Sequence, residues 1–114
     1  MPDKSPYERK IVDALAIRDT VAAESGAERF GCEGYSQAVF TFENGLDQTV
    51  TFQVQGRAWD GTTWQAVGSG VAVTAGSAGT ASVTAPWGML QVTMTAGGVP
   101  TTGTVSAWMN RAKG

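Results

Sequence analysis

"SQAVFTFENGLDQTVTFQVQG", residues Ser36–Gly56, decides the fold. A β-strand turns successive side chains to opposite faces, so a period of two in hydrophobicity marks a strand with one dry face. Here Ala38, Phe40 and Phe42 fall on one side and Val39 and Thr41 on the other. Asn44-Gly45 opens a turn, because both residues accept the backbone angles of a tight reversal. The pattern then resumes. Val50, Phe52 and Val54 share one face, and Thr49, Thr51, Gln53 and Gln55 share the other.

The same reading carries on toward the C-terminus. Asp60-Gly61 turns the chain and "TTWQAV" returns. "GVAVTAG" and "TASVTAP" are two short strands around a Gly/Ser turn. "MLQVTMT" puts Leu90, Val92 and Met94 inward. "GTVSAWMN" puts Val105, Ala107 and Met109 inward, with Thr104, Ser106 and Trp108 opposite. Short alternating strands with Gly, Pro and Asn punctuation predict an all-β antiparallel sandwich, jelly-roll-like.

The front of the chain is read differently. Ser5, Pro6 and Glu8 have the spacing of a helix N-cap, N1 and N3. Residues 1–13 are expected to form an N-terminal arm or short helix, and residues 14–114 the sandwich. A single long helix is weakened by Arg18, which lands in the stripe made by Tyr7, Ile11, Ala14, Leu15 and Val21. The reading preferred here is a helix to about Asp13 and then a strand through "ALAIRDTVAA". "ESGAERFGCEGY" is a connection, with room for one short strand at Arg29–Cys32.

At 114 residues the chain is one domain, large enough to bury a core without covalent staples. One Cys, Cys32, excludes an internal disulfide framework, and the net charge of −2 argues against a nucleic-acid footprint. No apolar run reaches membrane-spanning length, and the polar start lacks the apolar segment of a secretion signal. The expectation is therefore a protein made in the cytoplasm, with no nucleic-acid and no membrane partner. Charged residues are 16% of the chain, and none lies between Gly61 and Asn110. Sandwich exteriors are usually dressed with Lys and Glu. Two readings of their absence stand: a neutral surface kept soluble by hydroxyls, or a surface covered by other protein, where charge is costly to desolvate.

The chain has no His, which removes imidazole bases, Ser-His-Asp triads and the usual zinc sites. Glu24 and Glu28 are spaced for one helical turn, but Gly26 argues against a helix. Asp47 and Asp60 sit in turn sequences, where Asp is favoured for turn chemistry. Cys32 reads as a small buried hydrophobe. No enzyme, cofactor or metal site is expected. The candidate contact residues are the front cations and their aromatic, Lys4, Tyr7, Arg9, Lys10 and Arg18, together with Trp59 and Trp64. The two tryptophans flank "DGTT". A hairpin closed there makes them cross-strand neighbours, either as a platform for a sugar or protein or as a lid on the core edge. Trp87 and Trp108 read as cover for the core edge.

The residues from Gly34 to Asn110 resemble a known type. "FENGLDQTVTFQVQG", "DGTTWQAVGSGVAVTAG", "APWGMLQVTMTAGG" and "TGTVSAW" look like small β-sandwich structural proteins of tailed phages, capsid decoration or cement proteins among them. Such proteins carry N-x-L-D-Q-x-V-x-V-x-V-x-G, then D-G-x-x-W and a short V-x-V-x-A-G strand. The resemblance implies a passive stabiliser on the virion surface that binds the major capsid protein, and a homo-oligomer, a trimer by analogy with proteins at three-fold positions. The front segment, outside the resemblance, is expected to dock on the shell. The rival expectations are a carbohydrate-binding sandwich module, or a head fibre, neck or tail component.

Overall fold

Alternation along the chain becomes the wall between two sheets. The computed structural model describes residues 8–20, 23–26, 28–29, 35–84 and 87–113. Among them run β1 (Glu8–Leu15), β2 (Ala23–Glu24), β3 (Glu28–Arg29), β4 (Tyr35–Asn44), β5 (Val50–Arg57), β6 (Gln65–Ala66), β7 (Val71–Val73), β8 (Ala78–Val83), β9 (Met89–Ala96) and β10 (Val105–Lys113). No described residue is helical. The first sheet has the order β1-β10-β4-β8. The second has β9 and β5 at its centre, with β2 and β3 on the far side of β9 and β6 and β7 on the far side of β5.

This order is a rolled-up hairpin. Counting β2 with β3 and β6 with β7 as interrupted single strands reduces the ten strands to eight positions. The first then pairs with the last (β1–β10), the second with the seventh (β2/β3–β9), the third with the sixth (β4–β8) and the fourth with the fifth (β5–β6/β7), all antiparallel. That nesting is the jelly roll, and the all-β sandwich expected from the sequence is what the chain forms.

The inward residues are those named by period. Phe40, Phe42, Val50, Phe52, Val54, Leu90, Val92, Met94, Val105, Ala107 and Met109 are all buried, and Ala38, Leu46, Val73 and Val83 extend the cluster. The two sheets meet through aromatic rings. Phe42 of β4 and Phe52 of β5 stack with centroids 4.4 Å apart and planes 8° apart, and Phe40 lies 6.3 Å from Phe42.

The front of the chain departs from expectation. Glu8–Leu15 is strand and not helix, and it crosses the expected boundary at residues 13 and 14. Cross-strand pairing with β10 and burial of Val12 outweigh the local capping signal, since helix propensity is a weak prior against tertiary contacts. The strand expected through residues 14–23 is interrupted: among the described residues, 14–15 end β1 and Ala23 begins β2. Ala14 takes a positive φ of 50°, β1 stops at Leu15, and residues 16–20 are irregular, with Ile17 anchored in the core. The short strand placed at Arg29–Cys32 begins earlier, at Glu28–Arg29. Cys32, Val21 and the capping residues Ser5 and Pro6 lie outside the described residues.

Loops at one end of the sandwich close on each other. Asp47, in the β4–β5 turn, accepts hydrogen bonds from the Thr101 backbone N–H (3.0 Å) and hydroxyl (2.5 Å) of the β9–β10 loop. The Thr101 hydroxyl and then its N–H hold the Asp47 carboxyl below its ordinary value, so this clasp is ionised at neutral pH and loosens only in acid. Gly103 belongs to the same closure. Its φ is +91°, and an added Cβ would run into the Gly45 carbonyl oxygen. Gly103→Ala is therefore expected to lower unfolding free energy by about 3 kcal/mol, from a left-handed backbone and a backbone clash together. Urea unfolding followed by tryptophan fluorescence measures it.

Candidate interaction surface

Register fixes what the outer face of the first sheet presents. One row across the sheet runs Lys10, Trp108, Thr41 and Thr80. The next runs Glu8, Asn110, Val39 and Ser82 on one side, and Ser106, Glu43 and Ala78 on the other. Glu8, Lys10 and Glu43 are the charged residues of these rows. Lys10 is already engaged: its ammonium lies 2.9 Å from an Asp13 carboxylate oxygen and 5.2 Å from the Trp108 ring centroid. Trp108 is half-buried beneath it. Val39 is 46% exposed in the middle of this polar field. The face is thus wide, nearly neutral and built of small side chains around one aromatic ridge.

At the end of this face lies an open depression of about 390 Å³, lined by Glu43, Asn44, Gly45, Gly76, Ser77, Ala78, Thr104 and Ser106. Its floor is made by the turn sequences. Gly45 donates to the Thr104 carbonyl (2.8 Å), Asn44 donates to the Ser77 carbonyl (2.9 Å), and Gly76 donates to the Asn44 carbonyl (2.8 Å). These bonds satisfy the backbone, so the depression offers one carboxylate and a few hydroxyls.

The second sheet has a different exterior. Thr51, Gln53 and Gln55 of β5 face Thr95, Thr93 and Gln91 of β9, and Gln91 donates to Gln55 (2.8 Å). Gln53 donates to the Val54, Val67 and Gly68 carbonyls (2.8, 3.3 and 3.3 Å) and so ties the β6–β7 connection to the sheet. Polar residues read only as outward-facing are in fact fasteners.

Trp59 and Trp64 do not become a cross-strand pair. Gln55 pairs with Ala66 and Gly56 with Gln65, which sets Arg57 rather than Trp59 across from Trp64. The Arg57 guanidinium sits 5.0 Å from the Trp64 centroid, a cation–π stack, and Nη1 of Arg57 donates to the Ala58, Trp59 and Gly61 carbonyls (3.0, 3.0 and 2.6 Å). Trp64 is half-buried and Trp59 is 46% exposed. The backbone of Trp59 rests on Gly88, and the Trp87 ring rests on Gly56, where an added Cβ would meet it at 2.6 Å. Trp87 packs against the core edge, as read from sequence. Its indole N–H is buried with no hydrogen-bond partner among the described residues.

The front cations are dispersed. Arg9 and Lys10 lie on β1, and Arg18 follows the strand with its guanidinium on the Ile17 carbonyl (3.0 Å). Lys4 and Tyr7 lie outside the described residues. Three participants were missed in the sequence: Arg57, whose place just before Asp60-Gly61 gives it reach over the returning strand; Val39, an aliphatic on the polar side of an alternating strand; and Asn44, treated below. Among the described residues no group of three or more metal-ligating side chains converges.

The PBSX exported protein XepA superposes on 99% of this chain with a TM-score of 0.73 at 14% identity, the match taking 40% of that chain. PirA matches over 96% of this chain and 97% of its own, with a TM-score of 0.55 at 14% identity. A structure of infectious bursal disease virus, Gx strain, matches over 90% of this chain and 30% of its own, with a TM-score of 0.49 at 14% identity. The first two establish the fold and nothing finer. The chain spans about two fifths of the XepA chain. No protein-family model matches the sequence, and no curated protein matches it.

Proposed function

We propose that this chain is a non-enzymatic virion structural protein of the decoration type, binding the major capsid protein of an icosahedral head. The observation that carries the reading is the outer face of the first sheet: Thr41, Thr80, Ser82, Ser106, Asn110 and Ala78 around Trp108, with Val39 exposed among them. A face this poor in charge loses little on desolvation, and its small side chains let another protein approach closely. The sequence resemblance to phage decoration proteins supports the same assignment. Docking then belongs to the sheet face beside β1 more than to a detached arm, because Arg9 and Lys10 are part of the sheet.

For the carbohydrate-binding alternative, Arg57 already stacks on one face of Trp64, and Trp59 is the more exposed ring at that corner.

The test is co-sedimentation with tailed-phage capsids assembled without the chain. The wild type is expected to bind, and Val39→Glu to reduce occupancy at least about tenfold with an unchanged far-UV spectrum, as a buried unpaired charge at an interface costs more than one factor of ten. Retention on a polysaccharide column, lost on Trp59→Ala, together with no capsid binding, would establish the alternative instead.

A further inference from the structure

A sheet edge presents unpaired N–H and C=O groups, and natural sandwiches blunt such edges to avoid pairing with other chains. Among the described strands, three of the four sheet edges are blunted. β1 carries Arg9, Lys10 and Asp13 and has register shifts between Lys10 and Val12 and between Val12 and Leu15. β2 and β3 are two residues each and bring Glu24, Glu28 and Arg29. β6 and β7 are pieces of two and three residues. The fourth edge, β8, is six residues of Ala-Gly-Thr-Ala-Ser-Val, with no charge, no proline and unbroken register against β4. Among the described strands β4 is its one hydrogen-bonded neighbour.

The parity of that edge follows from one bond. Asn44 N–H donates to the Ser77 carbonyl, so Ser77 is in a hydrogen-bonded position of the β4 ladder. Alternation then directs the backbone groups of Gly79, Ala81 and Val83 toward β4 and those of Ala78, Thr80 and Ser82 away from it. The open edge therefore offers three N–H donors and three C=O acceptors at every second residue.

We propose that β8 is a self-pairing edge, which joins two copies of this chain antiparallel about a two-fold axis at Thr80. In that register Thr80 faces Thr80 of the second copy, and Ala78 faces its Ser82, so all six free backbone groups on each edge are satisfied. Every side chain brought together is small and uncharged. The two first sheets become one continuous sheet. A second copy is the occupant because the edge is complementary to itself in register, length and charge. Head-to-tail pairing with β1 is obstructed by the register shifts and charges of that strand. This contact rests on the fold alone and is two-fold, where the sequence resemblance suggested a three-fold arrangement. A six-residue edge is small beside the roughly 800 Å² per partner of a stable interface, so the dimer is a weak one.

The experiment uses the isolated chain, so its failure leaves capsid binding untouched. Sedimentation equilibrium up to roughly 500 µM is expected to show a monomer–dimer equilibrium, a range suited to so small a contact. Thr80→Pro removes the central donor without touching the β4 ladder, and Thr80→Lys sets two like charges opposite each other; each is expected to raise the dimer Kd at least about tenfold with unchanged circular dichroism. In a Cys32→Ser background, Thr80→Cys is expected to oxidise to a linked dimer, since facing Cα atoms lie about 5.5 Å apart, within disulfide reach. Ala78→Cys in that background should not link, and Ala78→Cys with Ser82→Cys should. A monomer throughout the range overturns the proposal, and so does a dimer indifferent to both Thr80 substitutions, or equal linking by Thr80→Cys and Ala78→Cys.

Discussion

Replacing Asn44 with alanine is expected to lower the unfolding free energy by about 3–4 kcal/mol, a large share of the stability of a domain this size. Asn44 is the last residue of β4 and is 2% exposed. Its side-chain amide makes three hydrogen bonds. Nδ2 donates to the Gln48 carbonyl and to the Val73 carbonyl, both at 2.8 Å, and Oδ1 accepts from the Leu46 N–H at 3.0 Å. The first and third shape the β4–β5 turn. The second reaches across the sandwich to the end of β7. Alanine leaves one N–H and two C=O groups without their partner, and a buried unsatisfied group costs about 1–3 kcal/mol. Asn44→Asp separates charge from shape. Its carboxylate would face the Gln48 and Val73 carbonyl oxygens, which disfavours the charged form and raises the folded-state pKa above the unfolded one. Such a group supports folding below the unfolded pKa and loses that support as pH rises through the folded pKa. Asn44→Asp should therefore be less stable than Asn44→Ala at pH 7 and recover part of the loss near pH 4. Urea midpoints of both variants at the two pH values measure this; equal midpoints at pH 7 would show that the amide serves only as a spacer.

Asn44 also shows where the sequence stopped being legible. Asn-Gly between two alternating runs announced a turn, and the turn is there. Nothing local announced that the same amide spans to Val73, 29 residues on. The inward faces of β4, β5, β9 and β10 were readable because a strand's period depends on its own residues alone. The nesting of the strands was not, since it depends on which edges meet. β1 is the clearest case. The capping-type residues before it and its mixed charges favour a helix in isolation, while its place beside β10 is decided by Val12 and by ladder bonds to residues about a hundred positions away. The candidate surface divides in the same way. Trp59, Trp64 and the front cations stood out by type and spacing. The neutrality of a whole sheet face appears only when Thr41, Thr80, Ser82 and Asn110, distant in sequence, are set side by side by register. A charge-free stretch in sequence says that some surface is neutral; the topology says which.

The other large effect lies at the seam between the sheets. Phe42→Ala is expected to cost about 4 kcal/mol, within the range for removing a buried phenyl ring. Phe42 is fully buried, faces Ala107 of β10 and Gly79 of β8 across the first sheet, and stacks on Phe52 of the second. Its two in-sheet neighbours are small, a methyl at Ala107 and no side chain at Gly79, where Val71 and Val73 close over the backbone. Neither neighbour has atoms to move into the void, and Phe52 loses its stacking partner. Phe42→Leu keeps most of the volume and should cost about half as much or less. The difference distinguishes a ring held for its shape from one held for its area. A void-dominated loss makes alanine far worse than leucine, whereas similar losses from both would assign the energy to the Phe42–Phe52 stack. Phe52→Ala and the double variant complete the cycle. Because the two rings touch, their losses should be less than additive, with a coupling of about 1 kcal/mol. Additivity within error would mean that the sheets are held by area alone and that the parallel stack contributes nothing beyond it.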